Sequence, residues 1–344
     1  MIHKRSWLLA GSALVLLIAG LWLSLHRASV QSEMGGGRLF TDLAPAVADV
    51  SEVRLSKGDG SRVTLRKQPD GWIVVERQYA ADASRVRELI LNLTHMKIVE
   101  HKTRDPANYA KLGVEAPDSP TATSTLVELV AGQKTWPLLV GKNAEGRAVY
   151  VRKPADPASA LAEPAITVDP DPKRWLDRQI TDLANASIKE ISVKPASGPA
   201  YLLSRAASTD QDLALSPVPR GREAASSMSI NAQADALTAF NFDDMRPVAE
   251  NAPTATERAT FRTFDGQVLE FAGRKDNGKA YITVTASRDA AADGADAKPA
   301  DQTAERLAAR ARGIEYEIPV YKYEALFKPQ EQLLEPKGPE PKKR

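Results

Sequence analysis

The side chains able to do acid–base, nucleophilic or metal chemistry are few and poorly grouped. The 344 residues include four histidines and no cysteine. Without cysteine there is no disulfide, no thiolate metal site and no thiol nucleophile. His3 and His26 flank an apolar segment, while His95 and His101 lie six residues apart, at the end of a predicted helix and beyond it. A helical zinc pair favours i, i+4 spacing and needs a third or fourth ligand, so these two read as surface or boundary residues. No Gly-x-Ser-x-Gly motif sets a serine beside a base, and Gly35-Gly36-Gly37 precedes no Lys-Ser/Thr, which makes it a spacer and not a phosphate loop. Asp169, Asp171, Asp177 and Asp182 form an acidic stretch, but Pro170 and Pro172 favour a capped turn over a calcium loop. Asp243 and Asp244 are adjacent, and adjacent helical residues do not face one another. No catalytic residue, cofactor or metal site is expected; a cryptic carboxylate-based enzyme is the last alternative.

Aromatic side chains offer binding chemistry instead. Trp72, Trp136 and Trp175 are the candidates for a ligand or partner surface, since exposed indoles can form a platform for sugars or peptides. Each has apolar neighbours on or near a predicted strand, so core packing is the competing fate. With 46 Lys plus Arg against 44 Asp plus Glu, the net charge is only +2. Nothing resembles a basic patch with interleaved aromatics, and no nucleic-acid partner is expected.

The elements that must position these residues begin with Ser6 to Leu25, twenty residues without a charge. At about 1.5 Å per residue they span a hydrocarbon core of roughly 30 Å. Trp7 and Trp22 lie near the two ends, where amphipathic rings prefer the interface. A cleaved signal peptide usually has a shorter apolar run and a small-x-small site, so a retained anchor in contact with cytoplasmic-membrane lipid is expected. Lys4 and Arg5 favour the N-terminus inside and the bulk of the chain outside. Alternation predicts strands over Val50–Leu55, Arg62–Lys67, Trp72–Val75, Thr123–Val130, Lys134–Val140 and Ala148–Arg152, and a short one over Ile166–Val168. Pro154–Pro164 reads as an Ala/Pro loop. Val86, Leu89, Ile90 and Leu93 recur at helical spacing within Ser84–Thr94.

The second half repeats this order. TATSTLVELVAGQ (121–133) answers TATERATFRTFDGQ (254–267), ADASRVRELILNLTHMKIVE (81–100) answers NAQADALTAFNFDDMRPVAE (231–250), and ITVDPDPKRWL (166–176) stands where YEIPVYKYEALF (316–327) falls. The expected fold is therefore α+β: an N-terminal transmembrane helix, then two tandem related units of antiparallel β-hairpins with packed helices. The segments are an anchor (1–27), a flexible spacer (28–39), a first repeat unit (40–183), a diverged second unit (184–332) and a disordered tail (333–344). Within the second unit, Asp289–Asp301 reads as a mobile Ala/Asp-rich loop.

Asp70-Gly71-Trp72, the phrase YAKLGVEAPDSPTATSTL (109–126) and the hairpin VGKNAEGRAVYVR (140–152) carry a resemblance. Together with the basic start and single anchor, they resemble a bacterial family called domain of unknown function 4340, over roughly residues 40–330. That resemblance implies an envelope protein, often encoded near an ABC-type exporter similar to those linked to gliding motility, and it brings no catalytic residues. The expected function is a non-enzymatic, membrane-anchored binding or scaffolding component with a protein partner in the envelope. A periplasmic protein that binds cell-wall glycan or another cell-wall ligand, through the tryptophans or a groove between the two copies, is the alternative.

Overall fold

Alternating burial along the hairpins makes the sheets. In the first, β1 (Glu52–Lys57) and β2 (Arg62–Gln68) turn Val53, Leu55, Val63 and Leu65 inward. β3 (Gly71–Val74) and β4 (Tyr79–Ala80) extend one side. Helix α1 (Ala83–His95) follows, with Val86, Leu89, Ile90 and Leu93 buried on one face. Its start is fixed by Asp82, whose carboxylate accepts hydrogen bonds from the amides of Ser84 (3.0 Å) and Arg85 (3.1 Å), two of the donors a helix N-terminus leaves unmet. Then come β5 (Lys97–His101), the single helical turn α2 (Tyr109–Leu112), β6 (Thr125–Ala131), β7 (Lys134–Asn143), β8 (Val149–Arg152) and β9 (Ser159–Glu163). The computed structural model describes residues 36–144, 146–289 and 301–336. The proposed anchor at 6–25 and the centre of the 289–301 loop lie outside them; among the described residues no helix is long and apolar enough to cross a membrane.

The chain divides between Asp177 and Arg178 into two compact units. Both are α+β and mostly antiparallel. In the first unit the nine-stranded sheet runs β4-β3-β2-β1-β6-β7-β8-β9-β5. The second contains β10 (Gln179–Thr181), β11 (Ile188–Lys194), β12 (Tyr201–Ser204), β13 (Ala214–Ser216), β14 (Arg222–Ala224), α3 (Ser227–Asn231), β15 (Phe240–Asn241) and β16 (Asp244–Pro247). It continues through β17 (Glu257–Thr263), β18 (Gln267–Asp276), β19 (Lys279–Arg288), α4 (Asp301–Ala311), β20 (Ile314–Ile318), α5 (Val320–Leu326) and β21 (Leu334–Pro336). Its main sheet runs β13-β12-β11-β17-β18-β19-β20-β16. Counting each unit's strands from β1 or β11, the eight positions follow the same order, with the strand after the helical region (β5 or β16) on the far edge.

Topology moves one of the expected correspondences. β20 occupies the place of β9, so Glu163-Pro164 answers Ile318-Pro319, and 316–327 does not align with 166–176. Ile166–Val168 is an extended strap without strand pairing, and the Ala/Pro stretch expected to be a loop contains β9. Ser159, Ala160 and Ala162 are buried there, small enough to sit between β8 and β5. At the chain's margins, Leu39 and Phe40 are buried, and the Leu39 amide donates to Met96 O (2.8 Å), so the end of the expected 28–39 spacer is part of the first unit. The expected tail from 333 likewise starts as structure: Leu333 is buried and β21 pairs with β14 through Leu334 and Ala224, because two leucines there have apolar cover.

Two glycines sit at matching places on the central strands. A Cβ on Gly141 in β7 would lie 2.4 Å from Leu112 O and 2.7 Å from Gly113 O; a Cβ on Gly273 in β18 would lie 2.4 Å from a Phe327 ring carbon and 2.8 Å from a Tyr323 ring carbon. The turn that crosses Gly141 is locked by Glu115. One carboxylate oxygen accepts from the Thr123 amide (2.6 Å) and hydroxyl (3.0 Å). Burial pushes the Glu115 carboxyl up, but the Thr123 hydrogen bonds and the Lys142 charge outweigh it and hold it below its usual value. A depressed folded-state pKa stabilises above the unfolded value, and that contribution is lost as pH falls through the folded one. Glu115→Gln is therefore expected to cost stability at pH 7 and to flatten the acid limb below about pH 4.5, where unfolded glutamate protonates. Urea midpoints of both proteins at pH 7, 5 and 4 check this; parallel pH curves would refute it.

Candidate functional site

The first unit carries a cleft of about 430 Å³ between α1 and the strap at 165–175, within the size range of small-ligand sites. Arg85, Glu88, Leu89 and Asn92 form one wall; their spacing of 3, 1 and 3 places them on one helical face. Ala165, Ile166, Thr167, Asp169, Arg174 and Trp175 form the other. Leu89, Ile166 and Trp175 are buried and make an apolar floor, whereas Arg85, Glu88 and Arg174 stand exposed around the mouth.

The strap is held by its own backbone and by short acidic caps. Asp169 accepts from the Asp171 amide (2.9 Å), and Asp171 from the Lys173 amide (3.0 Å), which closes the turn over Pro172–Trp175. Asp169 and Asp171 of the acidic stretch are thus turn caps, while Asp182 accepts from the Ala239 amide (2.8 Å) inside the second unit. The Trp175 indole donates to Asp169 O (2.7 Å). The Asp82 amide donates to Trp175 O (2.8 Å), and the Arg85 guanidinium donates to Arg174 O, so the strap is tied to the start of α1. Arg174 and Asp169 form an exposed ion pair at 3.6 Å, worth little by itself in water. Two cations and two carboxylates ring the floor. Such a rim can offer ion pairs of either sign and hydrogen bonds.

The three tryptophans part company. Trp175 keeps 3% of its surface and lends one side to the cleft floor. Trp136 keeps 4%; it faces the core of the first sheet and its indole donates to Asp42 (3.0 Å). That bond, the leading influence, holds the Asp42 carboxyl below its ordinary value. Trp72 on β3 is half-buried and is not among the cleft residues. A shared exposed indole platform is therefore absent from this geometry: Trp136 and Trp175 are packed because each lies where the sheet or strap covers it. His95 and His101 are exposed, at the end of α1 and on β5, and among the described residues no group of three or more His, Asp or Glu side chains is placed to hold a metal ion. Asp244 accepts from the Met245 amide (2.8 Å) and does not pair with Asp243 for chemistry.

Sequence reading singled out Trp175 but passed over Arg85, Glu88, Asn92 and Arg174. Charged residues on a helix usually face water, and only the strap, which has no repeat pattern, turns this face into a wall. The helical spacing of 85, 88, 89 and 92 was the available signal.

The sequence model of the family described as a domain of unknown function (DUF4340) matches residues 72–262, more than half of the chain and spanning the cleft. No curated protein and no solved structure gives a significant match.

Proposed function

From the premise that the chain belongs to the DUF4340 family, we propose that it is a non-enzymatic binding or scaffolding protein of the bacterial envelope. In this reading Ser6–Leu25 anchors it in the cytoplasmic membrane with its N-terminus inside, and the two units stand in the periplasm as diverged copies of one α+β unit. The shared strand order supports the duplication. Its partner in this reading is a protein, and what the family resemblance implies makes an ABC-type transporter subunit the first candidate.

The observation that carries the reading is the cleft. It has an apolar floor and a rim of alternating charge, the composition that receives a polypeptide segment with an anchoring apolar residue. The glycan alternative draws no support from Trp136 or Trp175, whose faces are covered.

The test leaves the fold alone. Glu88 and Asn92 point into the cleft from exposed or half-exposed positions on α1, so Glu88→Arg with Asn92→Trp changes the charge of one wall and fills the space. Full-length protein carrying both substitutions, crosslinked in intact membranes and analysed by mass spectrometry, is expected to lose at least about tenfold of its partner yield, the scale of a truncated hot spot. Unchanged yield with normal protein levels would remove the cleft from the interface. Absence of any transporter subunit from the wild-type crosslinks would remove the exporter.

A further inference from the structure

The second unit contains a cavity of about 290 Å³ lined by Glu257, Lys275, Tyr323, Glu324, Phe327, Pro329 and Gln332. Two of its oxygens are buried and face each other without a hydrogen bond of full geometry, Glu257 Oε2 on β17 and the Tyr323 hydroxyl on α5. Tyr323 as a whole is 1% exposed. Buried polar atoms are nearly always paired, and leaving one unpaired is costly. The phenol has one proton to share with Glu257, and both oxygens keep lone pairs for a further donor. Burial first, and then the hydrogen bond and charge of Glu257, push the phenol above its ordinary value, so it stays neutral.

The walls fit a cation on an aliphatic stem. The Tyr323 and Phe327 rings stand 4.7 Å apart at 56°, packed onto the bare backbone of Gly273. The Lys275 ammonium already lies 5.3 Å from the Tyr323 ring centroid, held there by Glu324 at 3.2 Å. That ring therefore accepts a positive charge. Lys275 and Glu324 keep 50% and 62% of their side-chain surface, so the pair is a rim contact that can open. Two carboxylates against one lysine leave the lining net negative.

We propose that this cavity binds a primary ammonium group carried on a short alkyl stem, with Glu257 Oε2 and the Tyr323 hydroxyl taking its N–H bonds and the Tyr323 and Phe327 rings taking the stem. Such a group has three donors and no acceptor, which complements the remaining lone pairs of the two oxygens. The same chemistry comes from a free small amine or from a lysine side chain of a partner protein.

Calorimetric titration of the full-length protein in nanodiscs distinguishes them. The probes are n-butylammonium, doubly blocked lysine and its neutral side-chain-acetylated form. Saturable binding of the two cationic probes is expected, with the acetylated probe at least about tenfold weaker, the value of a hydrogen bond to a charged group. Blocked lysine binding more tightly than n-butylammonium assigns the site to a partner's side chain; the reverse order assigns it to a free amine. Glu257→Gln is expected to weaken both about tenfold with the unfolding midpoint retained, and Lys275→Ala to tighten both by removing the resident cation from the rim. Equal binding of the acetylated probe, no binding by any probe, or affinity unchanged in Glu257→Gln each overturns the proposal, leaving the two oxygens to each other.

Discussion

Replacing Glu315 with alanine is expected to lower the unfolding free energy of the second unit by about 3–5 kcal/mol, the cost of stranding a buried charge. Glu315 lies on β20 with its side chain 7% exposed. One carboxylate oxygen accepts from Arg274 Nε at 2.9 Å; the other takes Arg274 Nη2 at 3.0 Å and Arg246 Nε at 2.9 Å. Both guanidinium groups lie over the Tyr281 ring, at 4.3 Å for Arg246 and 4.9 Å for Arg274. The row crosses β16, β20, β19 and β18: the carboxylate joins three of these strands, and the Tyr281 ring adds β19. Its removal affects the two arginines unequally. Arg246 is 48% exposed and can turn to water, whereas Arg274 is 9% exposed and keeps the Tyr281 ring and, as its ion-pair partner, Asp276 at a long 3.5 Å. A thermal midpoint drop on the order of 10 °C follows for a unit of this size. The double substitution Glu315→Met with Arg274→Met removes both buried charges and is expected to recover most of the loss. If the single variant melts within 2 °C of wild type, roughly half a kcal/mol, the row is not a stabilising element.

Gly141→Ala is expected to destabilise the first unit by about 3 kcal/mol, at the upper end of overpacking costs. The added methyl would meet the carbonyl oxygens of Leu112 and Gly113 at 2.4 and 2.7 Å and Val114 Cγ1 at 2.9 Å. Those oxygens belong to a turn that cannot retreat. Gly113 ends α2 in the left-handed region at φ 72°, and the Val114 carbonyl accepts from the buried Arg152 Nε at 2.9 Å. Gly273→Ala meets ring carbons, which tilt more readily than backbone, and about 2 kcal/mol is expected there. Gly132→Ala is the control: at φ 57° with open space around it, only the left-handed backbone cost of about 1 kcal/mol applies. Chemical denaturation of the three variants gives the order 141, 273, 132. A loss at 141 no larger than at 132 would show that the turn moves aside.

Much of this frame was legible in the residues. α1 announced itself through Val86, Leu89, Ile90 and Leu93, and the β6–β7 hairpin through alternation closed by Ala131-Gly132. β9 did not, because its inward residues are Ser159, Ala160 and Ala162, which carry no β preference and lie among prolines. Their burial depends on β5, nearly sixty residues earlier, and no local pattern reports such a partner. The same limit hid the functional surfaces. Trp175 was conspicuous by type, but Arg85 and Glu88 become a wall only when the strap crosses them. Glu257 and Tyr323 meet across 66 positions of sequence, from a middle strand and the last helix of the second unit, and neither residue is unusual where it stands. The likeness of the units was readable at β6 and β17, where TAT precedes both strands, and was misplaced at β20, where an aromatic strand answers an alanine one.

The cover over the two matching glycines comes from opposite directions along the chain, and this sets an order of events during synthesis. Gly141 is crossed by residues 112–114, which leave the ribosome before β7 does; Gly273 is crossed by Tyr323 and Phe327, which leave some fifty residues after it. At about 5–20 residues per second, the first unit can seal its centre while it is still being made. The second unit must wait with the face of β18 at Gly273 uncovered until its last helix has emerged. Premature termination before Val320 therefore releases a chain whose first half is finished and whose second half is adhesive, and such fragments should be cleared by proteolysis or aggregate through the second unit alone.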